Sequence, residues 1–493
     1  MSIDELNVAL LVGAAVLLVA VVAVRLSTGA GLPSLLLYLG IGALLGGSPW
    51  LEFNDLELAQ VLGVAALVLI LAEGGLTTRW ETVQPVLPLA LSLSTVGVAV
   101  SVSVVAFVAH TFFGMSWQLA FLCGAILSST DAAAVFSTLR RVPLRPGLAG
   151  TLEAESGMND APVIILVMLL SSPESEGSLL VVGGLILYEL VVGAVVGVTV
   201  GWLGAQVLRR SALPASGLYP IAVMTFAVLA YAGAAYIHAS GFLAVYLAAL
   251  VLGNSDVPHR AVTRGFAEAV AWIAQIGLFV MLGLLVFPMR EAADTVLPAL
   301  GIGLALLLVA RPLSVLLAAA PFRVRPAELG FLAWAGLRGA VPIVLAIIPG
   351  VADVDGSRRL LETVFVLVVV FTLVQSPTLP YVARRLGVSH DGEPRELSIE
   401  AAPLDRLSSD LLQIKIPADS RLHGVEVAEL RLPPGAVIAL IVRSNAPLAP
   451  TDTTALRRGD DCLIVVPRRS RAAVEARLHS LSVHGRLAGW LSR

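Results

Sequence analysis

GTLEAESGMNDAPVIILV, residues 150–167, crowds Glu155, Ser156, Asn159 and Asp160 into six positions at the head of an unbroken apolar run. Glu155 and Asn159 are four apart and share a helix face, as do Ser156 and Asp160. Glu155 and Asp160 are five apart, about 140° around a helix of 3.6 residues per turn, so they meet different partners. A solvated helix N-terminus also welcomes carboxylates, and this accounts well for Glu153. It accounts poorly for Asp160, because the apolar run begins at once.

That run is one of many. The chain of 493 residues is 57% hydrophobic and 14% charged, whereas a soluble domain carries about 25% charge. Its mean hydropathy of +0.89 is too high for a water-soluble globule. Apolar stretches near 8–26, 32–47, 56–76, 85–110, 117–138, 151–171, 179–208, 217–237, 241–254, 265–287, 296–320, 328–349 and 359–383 make 13 candidate spans, where a crossing needs roughly 20 residues. The acidic start MSIDELN is unlike a signal peptide, so 8–26 reads as a retained span. An all-α polytopic membrane protein is expected.

Alternate connections differ in charge. Arg25, Arg79, Arg140, Arg141, Arg145, Arg209, Arg210, Arg260, Arg264, Arg323, Arg325, Arg384 and Arg385 fall in one set, and Arg290, Arg358 and Arg359 in the other. Basic loops stay inside, which puts the N-terminus outside and the C-terminal tail in the cytoplasm of a cell inner or plasma membrane. The net charge of -3 points to no nucleic-acid partner. Cys123 sits in a span and Cys462 in the tail, so no disulfide framework is implied.

A charge inside a span is expensive and marks function by default. LAEGGLTTRW (71–80) puts Glu73 before two glycines, where a helix end near the interface is an equally good reading. In LSSTDAAAVFS (127–137), Thr130 and Asp131 come after two serines in mid-span. Such a run competes for backbone hydrogen bonds and favours a cap, so the span reads as a broken helix. Asp131 could then cap a facing half-helix, and freed carbonyls could meet a cation. FLAWAGLRGAVPIVLAI (331–347) holds Arg338 among Gly336, Gly339 and Pro342, again a break. A lone Arg in mid-span needs a carboxylate. The two interrupted spans are seven apart, as in paired inverted repeats around a linker helix at 179–208.

After residue 386 the composition turns polar. Residues 387–408 read as a linker and 409–493 as a small cytoplasmic α+β domain. Its expected strands are LLQIKI (411–416), AVIALIVRS (436–444) and CLIVVP (462–467), and its expected helices VEVAEL (425–430) and AAVEARL (472–478). His110 and His238 are isolated, with no HExxH or GxSxG, so no enzyme is expected. A regulated cation channel and a proton-coupled solute symporter are the rival classes; no TVGYG-like filter supports the first.

AEGGL (72–76), STDAAAV (129–135), ESGMNDAP (155–162) and GLRGAVP (336–342) together resemble the monovalent cation/proton antiporter superfamily, in the branch of sodium/proton exchangers and bacterial potassium/proton antiporters. The resemblance covers about 5–385. It implies that Thr130 and Asp131 form an unwound crossover and that Asp160 binds the cation or a proton. Asn159 replaces a second Asp, which implies electroneutral exchange. Glu155 and Arg338 match a structural ion pair, while Ser156 and Glu73 match positions that assist coordination. The resemblance thus implies a cation site at Asp160, Thr130 and Ser156, with protons competing for the Asp160 carboxylate. The tail is similar to the C-terminal subdomain of potassium-conductance regulators. This implies antiporters of the cell-volume-regulation type, a homodimer, and a nucleotide such as cyclic di-AMP, or proton sensing, as the tail's signal. Sodium and potassium use the same ligand types; the tail favours potassium by analogy.

Overall fold

The computed structural model describes residues 3–30, 34–46, 53, 55–139, 142, 144–172, 179–286, 292–389, 398–404, 409–417, 420–443 and 446–484. Arg140, Arg141 and Arg290 of the charge count lie outside them. The chain divides into two units, Met1–His390 and Asp391–Arg493.

The first unit is helical. Its helices are α1 (Ile3–Ala30), α2 (Ser34–Gly46), α3 (Leu56–Thr77), α4 (Trp80–Phe113), α5 (Trp117–Ser128), α6 (Ala132–Thr138), α7 (Pro146–Ser171), α8 (Leu179–Arg210), α9 (Leu218–Tyr236), α10 (Gly241–Asn254), α11 (Arg260–Val286), α12 (Thr295–Ala319), α13 (Pro326–Trp334), α14 (Ala340–Leu345) and α15 (Ser357–Arg385). Among the described residues, eight helices are long and apolar enough to cross a membrane. Shorter apolar helices lie on the other expected stretches: Leu10–Arg25, Ser34–Gly46, Trp117–Ser128, Gly241–Asn254 and Ala340–Val351. The unit is a mostly helical membrane protein.

Lipid and packing divide the apolar side chains. On α8, Val181, Leu187, Val195 and Trp202 stay exposed, which only a hydrocarbon solvent makes cheap. The opposite face of α8 carries Gly193, Gly197 and Gly201 at intervals of four. A Cβ on these would fall 2.6, 2.5 and 2.8 Å from the carbonyl oxygens of Ser240, Ala244 and Ala248. Small residues there let α8 and α10 approach backbone to backbone, the usual route to helix association in lipid.

Both breaks expected from the sequence are present. Residues 129–131 separate α5 from α6, and residues 335–339 separate α13 from α14. The two non-helical segments touch: the Asp131 N–H donates to the Leu337 carbonyl at 2.8 Å. Single π-helical turns interrupt α4 at Leu93–Gly97 and α12 at Leu306–Ala310. Such turns are rare, and each rotates the face presented by the next turn of its helix.

The second unit is a five-stranded antiparallel sheet of β1 (Ser398–Leu404), β2 (Ser409–Lys415), β3 (Val437–Arg443), β4 (Ala446–Leu448) and β5 (Asp461–Pro467), ordered β1-β2-β5-β3-β4. Leu412 lies opposite Ile464 and Ile414 opposite Cys462. These side chains form a core with Val474, Leu478 and Leu481 of α16 (Arg471–His484). Two expectations need correction. Residues 398–404, read as linker, form the edge strand β1, since their backbone pairs with β2 from Ser398↔Lys415 to Leu404↔Ser409. Residues 425–430, read as a helix, form only a 3-10 turn at Val427–Leu430, closed by a capping box between Glu426 and Glu429.

Candidate functional site

The break in α5–α6 arises from its own side chains. The Asp131 carboxylate accepts from the Ala134 N–H at 3.2 Å and so caps α6. The same carboxylate lies against Gly339, which precedes α14: any Cβ at 339 would run into it. Asp131 therefore stands between the starts of two facing half-helices, where negative charge is favoured. Gly339 is required here for close approach.

Across from the break, α7 presents its polar group. Asp160 is 4% exposed and its Oδ1 accepts from the Ser129 hydroxyl at 2.6 Å. Asn159 Nδ2 donates to the Thr130 hydroxyl at 2.7 Å. Ser156 donates to the Thr130 carbonyl at 2.9 Å and accepts from the Ala132 N–H at 3.1 Å. Thus successive polar residues of α7 fasten the unwound segment. The Ser156 hydroxyl uses its proton and one of its two lone pairs on that task, whereas the Asn159 Oδ1 accepts no hydrogen bond among the described residues.

A cavity of about 250 Å³ opens over this arrangement. Glu73, Thr130, Asp131, Ser156 and Asp160 line it together, with Ala340 and Val341 at the start of α14. Oxygen ligands, a buried Asp160 carboxylate without a basic partner among the described residues, and two helix ends suit a desolvated monovalent cation. Asn159 is not in the lining. It stands behind the wall and holds Thr130 in place.

The expected Glu155–Arg338 pair is not what forms. Glu155 receives both guanidinium hydrogen bonds from Arg311, Nη1 to Oε1 at 2.6 Å and Nη2 to Oε2 at 3.0 Å. Both groups are buried. Arg338 instead serves the breaks: its Nε donates to the Leu127 carbonyl at 3.2 Å, and its Nη1 donates to the Gly336 carbonyl. Carbonyls freed where a helix stops need donors, and Arg338 sits within reach of one from each broken helix. Arg311 carries no motif of its own. Its signal in the sequence is an Arg inside the apolar run LALLLVARPLSVLL (304–317). It stands directly after the π turn of α12, while the π turn of α4 brings Ser94 to the Glu155 carbonyl at 3.2 Å.

The reading of Glu153 as a solvated helix N-terminus also needs correction. α7 begins at Pro146, so Glu153 lies two turns inside the helix and lines the cavity. Thr78, Tyr246 and Gln275 line it too, with no motif to announce them.

Comparison with known proteins agrees with this architecture. Residues 14–385 match the sodium/hydrogen exchanger transmembrane family, and residues 411–479 match the TrkA-C domain. The K(+)/H(+) antiporter NhaP2 of Shewanella oneidensis is 34% identical over 484 residues, covering 96% of this chain and 84% of that protein. The K(+)/H(+) antiporter NhaP of Alkalimonas amylolytica is 34% identical over 475 residues, covering 94% and 82%. The structure of the sodium proton antiporter MjNhaP1 from Methanocaldococcus jannaschii at pH 8 aligns with a TM-score of 0.67 and 20% identity over 78% of this chain and 99% of that one, which is a likeness of fold. With the match running through both helix breaks and the polar turns of α7, the chain belongs to the sodium/hydrogen exchanger family.

Proposed function

We propose that this protein is a secondary antiporter that exchanges a monovalent cation for protons across the membrane, with Asp160 holding one or the other in turn. The observation that carries the reading is the buried Asp160 carboxylate on a cavity at a helix break, bonded to Ser129 and to no basic group among the described residues. One carboxylate holds a cation while ionised and none when protonated, so the two ions exclude each other there. Thr130, Ser156 and Glu73 add oxygens around it. Asp131 and Arg338 keep the crossover unwound by satisfying half-helix ends.

Potassium is the favoured cation, as the names of the two relatives suggest, with sodium as the rival. Exchange is electroneutral, because Asn159 stands where a second Asp would sit and leaves Asp160 as the one carboxylate of that adjacent pair on α7. The chain crosses the membrane 13 times as two inverted repeats, with its N-terminus outside and its tail cytoplasmic. It works as a homodimer in the lipid of an inner or plasma membrane. The TrkA-C domain regulates transport and takes a nucleotide such as cyclic di-AMP. The protein is not an enzyme.

Proteoliposomes with a trapped pH dye test the core of this reading. Adding potassium or sodium should drive proton efflux that saturates with cation concentration. Cation flux without counter-movement of protons would identify a channel and overturn it.

A further inference from the structure

Glu153, Gly157 and Asp160 lie at i, i+4 and i+7 on α7, hence on one helix face. Seven residues at 1.5 Å each put Glu153 about 10 Å along the helix from Asp160. All three line the same cavity. Between the two carboxylates, the phenol ring of Tyr246 occupies the space that a side chain at Gly157 would need: a Cβ there would run into the ring and fall 2.8 Å from the hydroxyl.

Tyr246 is 4% exposed, and its hydroxyl has no hydrogen-bond partner among the described residues while the residue lines the cavity. A buried hydroxyl without a partner costs free energy unless something in the cavity meets it. Thr78 and Glu153 lie beside it. The Thr78 hydroxyl stands 2.7 Å from Glu153 Oε1 and 2.7 Å from the Gly74 carbonyl, so its one proton is shared between them, and Glu153 lines the cavity beside it. Glu73 faces the same space, close enough to feel the Glu153 charge.

We propose that Glu153, Thr78 and Tyr246, with Glu73 facing them, form a second station for a monovalent cation, two helix turns from Asp160 and in series with it. It rests on the reading of Asp160 as the exchange site. A carboxylate and two hydroxyl oxygens replace part of a hydration shell, while the remaining waters stay in the cavity. The station concentrates the cation beside Asp160 and begins its dehydration. It takes no part in the competition with protons at Asp160. Gly157 is therefore a spacer, without which the ring could not lie between the two carboxylates.

The test uses the full-length protein in two measurements. In proteoliposomes, Tyr246→Phe keeps the ring and removes one ligand, so the KM for potassium should rise roughly five-fold, the worth of one hydrogen bond, with a smaller change in kcat. Glu153→Gln should raise it further. In detergent, thallium(I) binding observed by thallium magnetic resonance should survive in Asp160→Asn and vanish in Asp160→Asn/Glu153→Gln/Tyr246→Phe. An unchanged KM in Tyr246→Phe, or no thallium binding by Asp160→Asn, would overturn the station. Exchange that persists in Asp160→Asn would overturn the Asp160 reading instead, and the thallium result would still judge the station.

Discussion

Arg311 and Glu155 form a bidentate ion pair, 2.6 and 3.0 Å, between α12 and α7, with each residue at most 3% exposed. Arg338 lies close enough to feel both charges but bonds to backbone carbonyls instead. One carboxylate thus ties a transmembrane helix to the polar turns of α7. The second Arg secures the breaks.

The partition between the two arginines predicts their double-mutant cycles. Removing either Glu155 or Arg311 alone leaves a buried charge uncompensated and should cost about 3–5 kcal/mol. Glu155→Leu/Arg311→Leu should be far less damaging than the sum of the single changes. Glu155→Leu/Arg338→Leu should lie much nearer additivity. Thermal unfolding of these single and double variants in detergent measures this, and a larger coupling to Arg338 than to Arg311 would contradict the geometry.

Asp160→Asn should abolish exchange while the protein inserts and folds. Ser129→Ala removes the hydroxyl that donates to this carboxylate. A hydrogen bond to a charged group is worth about 1.5–3 kcal/mol, so the apparent cation affinity should change by roughly ten-fold or more. Cation titrations of proton flux supply the readout; wild-type kinetics in both variants would refute the role of Asp160.

Asn159 holds Thr130 and carries no charge, so transport should be insensitive to an imposed membrane potential. Asn159→Asp should place a second carboxylate next to Asp160 on α7 and make flux respond to voltage. Proton flux at clamped potentials distinguishes the two proteins. A voltage-dependent wild type would remove the argument for electroneutrality.

In the tail, Asp460 accepts from Arg443 Nε at 2.9 Å and Nη2 at 2.8 Å and from the Arg457 N–H at 2.7 Å. Burial acts to raise its carboxyl, but these bonds outweigh it and hold the group below the usual carboxylate range. A depressed group stabilises above its unfolded pKa, about 3.9, and the contribution is lost as pH falls through the lower folded value. Asp460→Asn should therefore loosen the domain at neutral pH by about 2 kcal/mol, with the difference shrinking in acid. Limited proteolysis of the tail across pH reads this; equal protection of both proteins at neutral pH would show that the pair is idle.

Deleting residues from 398 onward should leave exchange in place and alter its activation. The sheet and helix of the tail form their own core, and the described residues that line the cavity belong to the first unit. Loss of all exchange by a truncated protein that still inserts would make the tail part of the transport machinery.

Several features were legible because local chemistry dictates them. Ser129, Thr130 and Asp131 could not continue a helix without competing for its backbone, and the break falls there. Gly336 and Gly339 around Arg338 announced the second break in the same way. Asp160 stood out because no local role suits a carboxylate ahead of PVIILV. Three strands of the tail showed in their apolar, β-branched runs, although β1 and the short β4 did not. SIEAAPL lacks β-branched density, and only pairing with β2 gives it a structure.

By itself the sequence determined which segments are helical, where two of them break, and which carboxylate lacks a local explanation. These are properties of a few neighbouring residues, set by hydropathy, backbone competition and the cost of a charge in a span. Only the tertiary structure decided which partner each charge meets. Glu155 had two arginines within reach, and helix packing with a π turn gave it Arg311 rather than Arg338. Likewise Thr78, Glu153 and Tyr246 come from separate parts of the chain, and the Tyr246 ring finds its place beside the others because Gly157 leaves room for it. Pairing across helices depends on rotation and approach distance, and no spacing along one chain segment encodes either.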